Sequence, residues 1–394
     1  MDNWARIRAA DFVEFNPLLS IKKGTIATKI AMDKLQPFTK KIPEIERGEF
    51  AGGSKFCNGD TIMARITPCL ENGKTAFVDV LKDGEVAFGS TEFIVMRARA
   101  GISDPHFVYY LATSPAFRRV AIKSMVGSSG RQRVQQGVLD ELELTVPPLK
   151  KQQKIGAFLA SLDEKIALNN KINDNLYAQA RVFANQWIAE NDSEYELLAL
   201  SEVAAINPDT YSPKEEWKYV NYLDTSSITD GCIAEIQRIT PSTEKLPSRA
   251  RRKIVSNDVV FSTVRPNQRH FGIISEPLPN MLASTGFAVI RSKNPLVCNE
   301  LIYLCLTDNA FIEKMQQLAE QSTSTFPSIK PSDLGICEIP CPKDDSSSNL
   351  TETLKAMFAL IAANHRENAS LAELRDSLLP RLMSGEVDVS SIQI

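Results

Sequence analysis

Residue types capable of chemistry gather at a few places. Gly73-Lys74-Thr75 matches the end of a phosphate-binding loop, where backbone N–H groups and a lysine hold phosphate oxygens, but the first glycine of that motif falls on Pro68. Pro208-Asp209 with Glu216-Trp217-Lys218 has the acids and lysine of a metal-dependent nuclease, at too short a separation. Val146-Pro147-Pro148-Leu149 carries the twin prolines of an amino-methyltransferase site, without its polar and aromatic flanks or a glycine-rich cofactor loop. Histidines number three (His106, His270, His365) and are scattered. The seven cysteines form no CxxC pair, and the closest two are Cys337 and Cys341. A zinc site or a nucleophile–base pair has little to draw on. No catalytic residue, metal or cofactor is expected.

Binding chemistry is better represented. Arg249, Arg251, Arg252 and Lys253 form one basic cluster, and Arg131 with Arg133 stands in a glycine-serine loop. Such side chains suit polyanion contact. The overall balance does not make the chain a basic coat, because 45 basic and 48 acidic residues give −3. Residues 1–150 hold 21 basic and 17 acidic side chains (+4), whereas residues 191–345 hold 15 and 21 (−6).

These residues need elements to position them. A length of 394 residues suggests two or three domains, and 43% hydrophobic with 24% charged residues is an ordinary globular composition. No apolar run approaches the ~20 residues that span a bilayer, and Met1-Asp2-Asn3-Trp4-Ala5-Arg6 lacks the pattern of a signal peptide. A cytoplasmic protein with reduced thiols is expected.

The chain is two copies of one plan. Phe15-Asn16-Pro17 matches Ile206-Asn207-Pro208, an offset of 191. Gly59–Pro68 matches Asn257–Pro266 at 198, Ser90-Thr91-Glu92-Phe93 matches Ser284-Thr285-Gly286-Phe287 at 194, and from Val134/Ile329 to Leu176/Leu371 the offset is 195. Each copy has a mixed body. Short alternating runs such as Thr61–Ile66 and Val259–Val264 predict strands, and Pro105–Ala121 and Asn299–Leu318 have helical spacing. Leu142–Val146 and Ile336–Ile339 then run into prolines.

A long helix follows each body. On a seven-residue count the first carries Ile155, Leu162, Asn169, Leu176 and Phe183 at a, with Leu159, Ile166, Asn173, Ala180 and Trp187 at d. The second carries Leu350, Met357, Asn364, Leu371 and Leu378 at a, with Leu354, Ile361, Asn368, Arg375 and Leu382 at d. Both seams are interrupted by Asn at the same two central layers. If the helices pack antiparallel, Asn169 meets Asn368 and Asn173 meets Asn364, and these layers set register because a slip strands an amide against leucine. Helices of ~35–40 residues reach ~52–60 Å, the length of ~15 base pairs. Two similar modules on such helices would act as a caliper on a linear ligand.

The duplicated body and helix resemble the specificity (S) subunit of type I restriction–modification systems over essentially the whole chain. The resemblance rests on Gly59–Lys74, on the Ser-Thr-Glu-Phe and Ser-Thr-Gly-Phe segments at 90 and 284, on Leu162-Asp163-Glu164-Lys165-Ile166 with Asn169-Asn170-Lys171-Ile172-Asn173, and on Leu374–Glu386. It implies an α+β chain of two similar globular recognition domains joined by two long antiparallel coiled-coil helices, with a pseudo-twofold repeat. The divisions are target recognition domain 1 (residues 1–150), central spacer helix (151–190), target recognition domain 2 (191–345), and C-terminal spacer helix and tail (346–394). Each domain would read one half of a split DNA site, and the helices would set the unread gap and dock two methyltransferase subunits, joined by restriction (translocase–nuclease) subunits. Catalysis would belong to those partners. Alternatives are a recognition caliper of another methylation-based phage-defence system, or a protein-only scaffold.

Base readout pairs Arg with guanine and Asn or Gln with adenine, from side chains on loops. In copy one the candidates are Lys22, Lys23, Arg65, Lys74, Ser128, Ser129, Arg131, Gln132 and Arg133. In copy two they are Arg249, Arg251, Arg252, Lys253, Arg265, Asn267, Gln268, Arg269, Ser322, Thr323 and Ser324. Copy two departs from copy one at Gly286, where copy one has Glu92.

Overall fold

The computed structural model describes residues 4–128, 130–321, 326–344 and 348–389. The chain divides into two compact units, Met1–Asn170 with Arg366–Ile394, and Lys171–His365. The division falls within the two long helices, Leu149–Glu190 and Ser348–Met383, and not at their ends.

In the first unit, strands Val13–Phe15, Phe93–Ala98, Thr61–Ala64 and Thr75–Phe77 form an antiparallel sheet in that spatial order. A second sheet runs Glu46–Glu49, Ile26–Ile30, Ala87–Gly89, Lys55–Phe56, with its middle pair parallel. The second unit repeats both. Its antiparallel sheet is Ala204–Ile206, Phe287–Ser292, Asp258–Ser262 and Phe271–Ile274. Its other sheet is Gln237–Ile239, Val220–Leu223, Met281–Ser284 and Ala250–Lys253, again parallel in the middle.

The central strands are buried on both faces because each separates two cores. Ile94 and Met96 join the helices in one core, while Phe93 and Val95 face the other sheet. In the second unit Ala288 and Ile290 take the helical side, and Phe287 and Val289 the other. The period-two pattern of a strand therefore appears as alternation between two apolar environments.

The stretches expected as single helices are each broken. Pro105–Thr113 stops before Pro115–Lys123, where Ser114 accepts from the Phe117 N–H at 3.3 Å and Pro115 occupies the first helical position. Asn299–Leu306 likewise gives way to Asn309–Glu320, capped by Asp308. The closing strand of the second unit is Glu338–Pro342 and includes both prolines, which a two-stranded sheet with Tyr195–Ala199 tolerates.

Within each unit the segments of the two long helices run antiparallel. In the first, Asn169 Nδ2 donates to Asn368 Oδ1 at 2.9 Å and to Glu367 Oε2 at 2.7 Å, and Asn368 Nδ2 donates to Asn170 Oδ1 at 2.8 Å. In the second, Asn364 Nδ2 donates to Asn173 Oδ1 at 2.7 Å. The C-terminal helix ends at Gly385, whose φ of 77° is left-handed and whose α-carbon is close enough to Trp4 that a Cβ would lie 2.9 Å from the indole.

Candidate nucleic-acid interface

The two units share a set of polar pins. Asn16 and Asn207 each take a left-handed conformation, at φ 49° and 55°, and each accepts through Oδ1 from a strand N–H, of Val95 and Val289, at 3.0 Å. Buried Asp60 pairs with Arg97 through Oδ1–Nε at 2.8 Å and Oδ2–Nη2 at 2.7 Å. Asp258 and Arg291 repeat that fork at 2.7 and 2.8 Å, and Arg291 also reaches Asp209 at 2.8 Å. Asp209 is thus part of an ion pair, which accounts for an acid outside any metal cluster. Among the described residues no group of His, Cys, Asp and Glu could hold a metal ion.

In the first unit Arg65, Gln132 and Arg133 come together. The loop between Val126 and Arg133 closes on itself through paired backbone hydrogen bonds of 3.0 and 2.9 Å, and the Thr67 N–H donates to the Gln132 carbonyl at 3.0 Å. Arg133 grips Glu92 with Nε at 3.0 Å from both carboxylate oxygens and Nη2 at 2.7 Å. Arg65 Nε stands 3.8 Å from Glu92. Ser128 and Arg131 are exposed on the same loop, and Ser129 lies outside the described residues. Lys74 does not join them: its Nζ donates to the Met32 carbonyl at 3.0 Å. Lys22 and Lys23 are exposed in a separate turn closed by the Thr25 N–H to Lys22 carbonyl bond at 3.1 Å.

The second unit divides its candidates between two places. Arg249 is exposed, Arg251 Nε donates to the Ser248 carbonyl at 3.2 Å, and Arg252 is half-buried with its Nε unpaired among the described residues. Lys253 pairs with Glu215 at 2.6 Å above the Trp217 ring. At the other place Arg265 is left-handed (φ 47°) with its guanidinium over Phe326, and Arg269 donates to Asp230 at 2.6 Å and Asn309 at 3.0 Å. Asn267 and Gln268 are exposed there, and Ser322, Thr323 and Ser324 lie outside the described residues.

Sequence reasoning marked Glu92 only as a difference between the copies. Its pairing with Arg133 was missed, though an acid in copy one opposite a glycine in copy two was a usable signal. That glycine has a steric cause: a Cβ on Gly286 would lie 2.7 Å from Thr225 Cγ2.

The α+β body is duplicated, and each copy carries cationic side chains on its loops. Residues 3–178 match the family described as the type I restriction modification DNA specificity domain. The chain is similar to curated type I specificity subunits. It is 23% identical to the HindI specificity subunit of Haemophilus influenzae, over 84% of this chain and 86% of that protein. It is 20% identical to the MjaVIII specificity subunit of Methanocaldococcus jannaschii, over 99% of this chain and 94% of that one. The crystal structure of a type I restriction–modification S subunit from M. genitalium aligns over 96% of both chains, at 17% identity and a TM-score of 0.52, and has the same fold. No described helix is long and apolar enough to cross a membrane.

Proposed function

We propose that this chain is the DNA sequence-specificity subunit of a type I restriction–modification complex. Each body reads one half of a bipartite site, residues 1–150 one half and 191–345 the other. The long helices set the unread gap and dock two methyltransferase subunits, and restriction subunits complete the assembly. The chain itself is non-catalytic, with methyl transfer and cleavage carried by the partners. The observation that supports this reading best is the duplicated body with arginine- and amide-bearing loops in each copy, since a split site needs two readers of one plan. Local charge suits the division of labour: arginine forks read base edges, while phosphate contact falls largely to the partners, because residues 191–345 carry −6.

The test is methylome sequencing of cells that express this chain with its methyltransferase subunit. Two short defined halves around a fixed gap are expected, and replacing residues 1–150 with another such domain should change one half only. A change in both halves would rule out modular reading.

A further inference from the structure

The Arg133–Glu92 contact is oriented in an informative way. A guanidinium has two faces on which it can fork: the side edge, through Nε and one Nη, and the end, through both Nη. Glu92 takes the side edge, with Nε at 3.0 Å and Nη2 at 2.7 Å. Nη1 makes no hydrogen bond among the described residues, and the Arg133 side chain is 43% exposed. The end of the fork is therefore open. That pair of parallel donors matches O6 and N7 of guanine in the major groove.

The backbone beneath the fork is fixed on both sides. Arg133 exchanges hydrogen bonds with Val126 at 2.9 and 3.0 Å, the Val134 N–H donates to the Arg65 carbonyl at 2.9 Å, and the Arg65 N–H donates to the Glu92 carbonyl at 2.9 Å. The hydrogen bonds from Arg133 also hold the Glu92 carboxyl below the ordinary carboxylate range, so it stays ionised. With Arg65 adjacent, two guanidinium groups share one carboxylate and the site keeps a net positive charge. A partly exposed ion pair adds little stability, whereas holding a long side chain in one rotamer removes an ordering cost from binding.

We propose that Glu92 is a positioning residue that presents the free end of the Arg133 guanidinium to a guanine in the half-site read by the first unit. This deepens the specificity reading above and rests on it. The second unit has the same backbone contact, Thr263 N–H to Gly286 carbonyl at 2.8 Å, and the bridge of Val264 with Ser328 stands where Ile66 pairs with Arg133. There the three positions hold Thr263, Gly286 and Ser328, none cationic, so the guanine at this register belongs to one half only.

The experiment selects duplexes from a randomised library with the full chain bound to its methyltransferase subunits, for wild type, Arg133→Lys, Glu92→Gln and Glu92→Ala. Arg133→Lys is expected to lose about tenfold or more discrimination at a single guanine. Both Glu92 variants should relax that same position, the near-isosteric Gln less than Ala, while every other position and the other half stay unchanged. Arg133→Lys combined with Glu92→Ala should be no worse than Arg133→Lys alone. Thermal unfolding of each complex accompanies the selection, and Glu92→Gln carries the test if Ala loosens the loop. Uniform weakening without altered preference would overturn the proposal in favour of a phosphate or purely structural contact. A preference changed by Arg133→Lys and untouched by both Glu92 variants would overturn it too. Absence of any split motif in the unmutated complex would defeat the specificity reading itself, a result seen before any variant is made.

Discussion

Arg375 Nη1 donates to Asp163 Oδ1 at 2.6 Å, inside the apolar packing of the first unit. The other carboxylate oxygen accepts from the buried Tyr110 hydroxyl at 2.5 Å, whose ionisation burial suppresses far above the usual tyrosine range. Arg375 and Asp163 side chains are only 14% and 7% exposed. By the repeat offsets the second unit has Leu304, Phe358 and Ala180 at these places, all buried. One unit therefore closes its helix-to-body junction with a polar triad and the other with hydrocarbon. Arg375→Leu strands a buried carboxylate and should cost about 3–5 kcal/mol in denaturant unfolding. The triple change Tyr110→Leu, Asp163→Phe, Arg375→Ala, which copies the second unit, should recover most of that. A triple variant as unstable as the single one would mean that the junctions are not equivalent.

Asn169 is fully buried and donates to two acceptors at once. Asn169→Leu removes that donor from Asn368 and Glu367 and should cost about 1–3 kcal/mol. Adding Asn368→Leu makes the layer apolar and should restore stability to near wild type. The double variant should also form alternative oligomers by light scattering, since only the Asn173–Asn364 layer is left to penalise a slipped register. A stable double variant with unchanged assembly would remove the register role.

The duplication and both long helices were legible because seven-residue periodicity and a near-constant offset survive in the sequence. The Asn layers were legible for the same reason. The pairing of Arg375, a seam position, was not legible, because its partner Asp163 lies on the other helix, 212 residues away. The pins Asp60–Arg97 and Asp258–Arg291 and the clamp Glu92–Arg133 join residues 37, 33 and 41 apart across turns, where no local pattern connects them. Helix breaks at Ser114 and Asp308 were hidden because the apolar spacing runs through them, although Ser114-Pro115 was a visible capping signal. Lys74 looked available in sequence, and only its distance to the Met32 carbonyl reveals its engagement.

Gly286 stands where copy one has Glu92, and the reason is contact with Thr225. Gly286→Glu should therefore destabilise the chain by about 1–3 kcal/mol through overpacking, and it gains no clamp, because Ser328 stands where copy one has Arg133. Thr225→Gly in the same chain should relieve most of that cost. Thermal unfolding of the single and double variants checks it, and an undiminished single variant would show that the segment yields freely.

Histidine protonation should give the chain a weakly acid-sensitive limb. Burial pushes His106 below its ordinary range, and the neighbouring Lys40 adds to this. Its ring stacks on Phe77 with centroids 4.6 Å apart, and Nδ1 has no partner among the described residues. Burial lowers His365 as well. A depressed folded value means that the unfolded chain binds the proton first. Stability is therefore full above the unfolded value near 6.5 and is lost as pH falls through the folded values. The ion-paired carboxyls Glu92, Glu215 and Glu367 are also lowered, but from 4.5, so their contribution is lost only at still lower pH. Urea midpoints measured from pH 7.5 to 5 should fall, and His106→Gln with His365→Gln should flatten that slope while leaving the steeper loss below pH 4.5. An equal slope in the double variant would place the acid sensitivity elsewhere.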